Sequence, residues 1–145
     1  MTLPTNLQTS QEAQRFARLL DRFAQDTAEV TEAIAVASDG LLIAMSSNLA
    51  RADGDRFGAI TSAIVSLAKG ASRVYNLGGT NKVIIDLDRG YLLVSALNPT
   101  AALGVLATRA ANLGNLAYDM ATFANQVGAL LTADRVDELK HTLQA

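Results

Sequence analysis

Residues Ala33–Ser47, AIAVASDGLLIAMSS, carry the pattern from which the rest of the chain can be ordered. Ile34 and Val36 alternate with Ala33, Ala35 and Ala37, and a period of two is the mark of a strand. Asp39-Gly40 follows, a pair that supplies the positive φ of a two-residue hairpin turn. Leu41, Ile43 and Met45 repeat the period beyond it, so the spacing predicts a β-hairpin.

Upstream, Phe16, Leu20 and Phe23 recur at helical spacing with Ala17, Leu19 and Ala24 beside them. Thr9 and Glu12 form a capping box that would open this helix, leaving 1–9 as a flexible leader that includes Pro4. The helix should run to about Thr27. Downstream, Ala50–Asp55 is a polar joint in which Asp53 or Asp55 would cap a helix over roughly Asp53–Asn76, stopped by Leu77-Gly78-Gly79. Lys82–Leu87 is rich in β-branched residues. Asp88-Arg89-Gly90 predicts a tight turn with Gly90 left-handed, and Tyr91–Leu97 returns from it. Asn98-Pro99 breaks that run, and Ala102–Ala107 supplies a fifth strand. Leu113, Leu116, Met120, Phe123, Val127 and Leu130 then form the apolar stripe of a helix over about Asn112–Leu131, flanked by a small stripe of Gly114, Ala117, Ala121, Ala124 and Gly128. Thr132 caps a short last helix holding Val136, Leu139 and Leu143. The expected order is α-β-β-α-β-β-β-α plus a short C-terminal helix. This is an α+β fold in which helices cover both faces of a five-stranded antiparallel sheet. One domain spans 10–131, with the terminal helix over 132–145; there is no internal repeat.

Composition narrows the function. At 145 residues the chain fits one domain able to bury its own core, and half of its residues are hydrophobic. The formal net charge is −2, and Lys and Arg are scattered singly, so the footprint that nucleic acid requires is missing. Without Cys there are no disulfides, thiolate nucleophiles or Cys-type zinc sites, which fits a reducing compartment. Met1–Ser10 is polar and no apolar run approaches the ~18–20 residues of a membrane span. A cytoplasmic protein with no direct membrane insertion is expected.

The catalytic inventory is thin. His141 is the only histidine and has no Ser/His/Asp arrangement around it. Asp39, Asp86 and Asp88 resemble a carboxylate cluster on paper, but Asp39 and Asp88 have the simpler role of turn residues. Gly78-Gly79-Thr80-Asn81-Lys82 lacks phosphate-loop spacing and leads from helix to strand, the wrong order for cradling phosphate. Gly104 belongs to no dinucleotide fingerprint. No enzyme, cofactor or metal site is expected.

The middle helix carries three bands. Phe57, Ile60, Ile64, Leu67, Ala71 and Val74 form an apolar stripe expected to pack on the sheet. Ala59, Ala63, Ser66 and Gly70 form a small stripe about 110° around, suited either to internal packing or to close approach by another helix. Ser62, Val65, Lys69 and Ser72 are polar enough to face water or a wet partner. If Lys82–Leu87 is a sheet edge, pairing with its own copy would protect it, so a homodimer is expected.

The ordered set of segments Ala33–Ser47, Ser62–Leu97 (through SLAKGASRVYNLGG and DRGYLLVSAL) and Gly104–Leu131 (GVLATRAANLGNLAYDMATFANQVGALL) resembles the roadblock family, the dynein light-chain type of domain. It is similar to the actinobacterial branch encoded beside small Ras-like GTPases. With the first helix, these segments cover most of residues 12–135. The resemblance implies a profilin-like or longin-like sheet and a homodimer in which the strands after the middle helices pair across the two-fold. In relatives such as the bacterial gliding-motility regulators, the middle-helix face receives a small GTPase and tunes its nucleotide state. Carried over, the dimer seam would use Ala59, Ala63, Ser66, Gly70, Val83, Ile84 and Ile85. The GTPase face would use Ser62, Val65, Lys69 and Arg73. A sensor kinase-like membrane protein of the same operon is a further candidate partner. The chain departs from the family pattern at Asn112, where an acidic residue is common, and at Pro99-Thr100, which interrupts the usual tight turn. No arginine is marked as an inserted catalytic finger. The rival reading is a small-molecule-sensing profilin-like signalling domain, which would need polar groups converging on a pocket.

Overall fold

The computed structural model describes the backbone of residues 5–144 and the side chains of residues 11–143. Its elements follow the expected order: α1 (Thr5–Asp26), β1 (Val30–Ala37), β2 (Leu42–Met45), α2 (Arg51–Tyr75), β3 (Lys82–Leu87), β4 (Gly90–Asn98), β5 (Ala101–Thr108), α3 (Leu113–Val127) and α4 (Ala133–Gln144). The first helix begins at Thr5, upstream of the Thr9–Glu12 box expected to open it. Asn6, Leu7 and Gln8 contain no helix breaker, and the leader is correspondingly shorter than 1–9. Residues 1–4 lie outside the described ones.

All strand pairs are antiparallel, in the order β2-β1-β5-β4-β3. Alternation along β1 feeds two cores. Ala33, Ala35 and Ala37 face the layer containing α1 and α3, while Ile34 and Val36 face the α2 side. Small residues on the first face let those helices come close, and Phe16, Leu20, Phe23 and Phe123 fill the remaining space. Phe23 and Phe123 join α1 to α3 with ring centroids 4.8 Å apart. The α3 stripe behaves as expected, with Leu116, Met120, Phe123 and Val127 buried. Asn112 caps α3 by accepting from the Asn115 N–H at 3.0 Å.

The turns differ from expectation in informative ways. Four residues, Ser38, Asp39, Gly40 and Leu41, join β1 to β2. The Gly40 N–H donates to the Ala37 carbonyl at 2.9 Å, and Gly40 then takes φ 88°, the pattern of a turn followed by a glycine bulge. Asp39 stays out of the left-handed region and accepts instead from the Leu41 N–H at 3.0 Å. Gly90 is not left-handed either. It is a strand residue paired with Leu87 and Thr108, and a Cβ there would sit 2.6 Å from the Ala107 carbonyl oxygen. Pro99-Thr100 does not interrupt the next hairpin, because Asn98 pairs with Ala101 across a two-residue turn. The Asn98 side chain accepts from the Thr100 N–H at 2.8 Å and donates to the carbonyls of Gly128 and Leu131, tying this turn to the end of α3.

The two sheet edges are treated differently. Thr132 caps α4, and the helix runs past the outer side of β2. Val136 and Leu139 join the core on the α1 side, while Leu143 packs against the cluster on the α2 side. Lys140 reaches Asp39 at 2.8 Å, and the Arg51 guanidinium donates to the Leu143 carbonyl. β3, at the opposite edge, pairs only with β4. Among the described residues, no helix is long and apolar enough to cross a membrane.

Two outcomes follow from this packing. Gly90→Ala should lower unfolding stability by about 1–3 kcal/mol, because its new methyl meets backbone and not a yielding side chain. Gly79→Ala, with nothing within 4 Å of its Cβ position, should stay within about 0.5 kcal/mol of wild type by denaturant titration. The second outcome concerns pH. The Lys140 ammonium, and after it the Leu41 N–H, hold the Asp39 carboxyl below its ordinary range. A carboxyl depressed in the fold contributes stability above its unfolded value, about 3.9, and that stability is lost as pH falls through the folded value. Asp39→Asn should therefore lower the denaturation midpoint at neutral pH, with the gap to wild type closing below about pH 3.9.

Candidate protein-binding interface

The geometry of α2 begins at its first turn. The helix starts at Arg51 with Ala50 as a cap lacking a side-chain bond, so neither Asp53 nor Asp55 plays the capping role expected of it. Asp53 lies in the first turn, where the helix dipole favours an acid, and pairs with Arg56 at 3.3 Å. Asp55 pairs with Arg51 at 3.0 Å. Gly54 is a buried position within the helix, since a Cβ there would come 2.7 Å from Met45 Sδ.

The side of α2 against the sheet is Gly54, Phe57, Gly58 and Thr61, all in its first half. The sheet answers with a small residue of its own. A Cβ on Gly104 of β5 would lie 2.5 Å from Thr61 Oγ1 and 3.2 Å from Phe57 Cζ. Thr61 is fully buried and its hydroxyl has no hydrogen-bond partner, so the close fit is kept at some polar cost. This seam corrects the expected core stripe. Of that stripe only Phe57 is buried and Ile64 partly so, whereas Ile60, Leu67, Ala71 and Val74 are exposed. Leu67 and Val74 each retain 75% of their accessible surface. A helix apolar on more than one side does not declare which side meets its own sheet.

From Leu67 onward the helix stands clear of the sheet. Leu67, Val74, Tyr75 and Leu77 are all largely exposed, and α2 ends on Asn76 at φ 55° with the Leu77 N–H bonded back to the Ser72 carbonyl. The stop expected at Gly78-Gly79 is thus made by an asparagine two residues sooner. The candidate seam residues Ala59, Ala63 and Ser66 are exposed, and Gly70, half-buried, has nothing within 4 Å of its Cβ position. They share the outward side of the helix with Ile60, Leu67 and Val74. On β3, Val83 and Ile85 pack on the α2 side and Ile84 faces the other, with Leu87 exposed at the strand end. Arg109 reaches Asp86 and the Leu87 carbonyl and lies 4.6 Å over the Tyr91 ring, bracing the end of this strand.

The candidate GTPase face is divided. Ser62, Val65 and Lys69 line a groove of about 410 Å³ between the underside of α2 and the sheet, and Val65 packs against the core. Arg73 stands exposed in the last turn. The three aspartates considered as a cluster are dispersed, Asp39 to Lys140 and Asp86 to Arg109, with Asp88 in a turn. Among the described residues no group of three or more His, Cys, Asp or Glu side chains could hold a metal ion. His141 is exposed in the last turn of α4.

A five-stranded sheet with β3 unpaired on one side, beneath a helix whose outward side is apolar, defines a layered profilin-like domain. The chain belongs to the Roadblock/LC7 domain family, whose sequence pattern matches residues 16–107. It is similar to the Roadblock/LC7 domain from Streptomyces avermitilis, with 29% identity and a TM-score of 0.72 over 77% of this chain and 92% of that one. Its fold is also that of MglB from Myxococcus xanthus, at 15% identity and a TM-score of 0.73 over 80% of this chain and 94% of the other. More distantly it is that of profilin II from Acanthamoeba castellanii, at 21% identity and a TM-score of 0.53 over 79% and 97%. No curated protein matches the chain.

Proposed function

We propose that the protein is a non-catalytic homodimeric regulator or scaffold that binds a small Ras-like GTPase and modulates its nucleotide state or its localisation. The observation that carries the dimer is the bare β3 edge lying beside the exposed apolar side of α2. An isologous two-fold contact joins like surface to like. It would pair β3 with its copy and close the unpaired row of N–H and C=O groups, as edges require. It would also bring the α2 helices together over Ala59, Ala63 and Gly70, whose small size permits close approach. Leu67 and Val74, once covered, would each contribute roughly 1.5–3 kcal/mol. One MglB structure that shares the fold has a tetrameric arrangement, which supports self-association in this architecture.

The GTPase reading rests on the family resemblance. Of the four residues that resemblance nominates, Arg73 is the one clear of the groove beneath the helix, and it is the probe of choice.

Sedimentation of the full chain should show a dimer. Gly70→Leu, which the protomer accommodates in open space, and Ala63→Glu should both give folded monomers. A monomeric wild type would overturn the seam. A co-encoded small GTPase, loaded with GTP or with GDP, should be retained by the immobilised dimer in at least one state. Arg73→Glu should weaken that binding about threefold to tenfold. Retention in neither state would end the GTPase reading and leave the dimer intact.

A further inference from the structure

The groove beneath α2 draws in three of the four residues nominated for the GTPase face, Ser62, Val65 and Lys69, and its composition fits a small molecule. Its floor is apolar, with Val36, Val83, Val94 and Ala102 from four strands and Val65 from the helix above. Its rim is made of hydroxyls and amides, among them Ser62, Ser66, Thr80 and Asn81. Lys69 is the single charged side chain in the lining, which contains no carboxylate. Lys69 also has no ion-pair or hydrogen-bond partner among the described residues, unlike Lys140. Ser62, Ser66 and Lys69 follow one another at four and three residues, so they project from one side of α2.

We propose that this groove binds a free single-chain monocarboxylate, its head group on Lys69 and the α2 hydroxyls and its hydrocarbon chain on the valine floor. The chemistry selects the class. An apolar trough with one lone cation at its rim favours a molecule with one negative end and no other charge. The volume, about 410 Å³, lies toward the small end of the ~300–1,000 Å³ of small-molecule sites and suits one chain instead of a diacyl lipid. The inference goes beyond the GTPase reading and stands without it, because its test uses this chain and small molecules alone, with no GTPase present.

The test is an NMR titration of the full chain with decanoate, decanol and decyltrimethylammonium, each below its micelle concentration. Decanoate should shift the amides of Val83, Val94 and Ala102 and bind about tenfold more tightly than decanol, the worth of a charged hydrogen bond. The ammonium compound should bind least. Lys69→Gln should bring decanoate down to the affinity of decanol while leaving decanol unchanged. Ala96→Leu, at an exposed position in the groove lining, should remove both. Equal affinity for decanoate and decanol, or decanoate binding unchanged in Lys69→Gln, would overturn the proposal. So would shifts confined to the outer side of α2, or no shifts because a second copy of the chain fills the groove. Pelleting with phosphatidylglycerol vesicles at unchanged affinity in Lys69→Gln would assign the surface to lipid and also defeat it.

Discussion

α2 touches its own sheet only as far as Val65, and most of the character of its surface follows from that. The contact is a seam of missing side chains, Gly54 and Gly58 on the helix and Gly104 on β5, with Thr61 wedged between. Because the backbones approach so closely there, the helix is held at one end like a lever. The unfilled space beneath its far half is the groove, and the apolar residues Leu67 and Val74 on its far half stay exposed. Filling the seam with ordinary side chains would move the helix and with it every feature that depends on its height above the strands.

The treatment of the edges reinforces this. β2 is guarded by α4, which carries apolar side chains to both faces of the sheet and fastens itself to the β1–β2 turn through Lys140 and Asp39. β3 has no such guard. A chain that spends a whole helix on one edge and leaves the other open has a surface that is polarised along the sheet. The overhanging half of α2 crosses toward the open side.

Much of this architecture was legible in the sequence because its signals are local. Alternation in Ala33–Ala37, the capping Thr132, and the regular stripe of α3 each state their structure within a few residues. The turns were legible only as turns. Whether Gly90 serves a left-handed bend or a close backbone approach depends on Ala107, seventeen residues away, which local pattern does not encode. The main error lay on α2. Its apolar stripe is as regular as that of α3, yet α3 buries its stripe against its own sheet while α2 turns most of its stripe outward. Periodicity reports that a side will be covered and is silent about whose atoms cover it. Of the small residues that contact the sheet, Gly54 fell within the polar joint read before the helix, and Gly58 has no side chain to mark a side. The groove was invisible for a related reason, since Val36, Val65, Val83, Val94 and Ala102 come from five separate elements.

The strand order has a kinetic side. β3, β4 and β5 follow one another as a meander whose pairings join near neighbours in the chain, whereas β1 meets β5 only across the long span from Ala37 to Ala101. Local pairings form quickly, and those that close long loops must first offset the entropy of closure. The open edge strand therefore belongs to the part of the sheet that assembles from local contacts. The guarded edge belongs to a second local hairpin, β1–β2, which joins the meander only through that long closure. With α4 undocked both edges of the sheet would be bare, so the last helix in the chain decides that only β3 is left open.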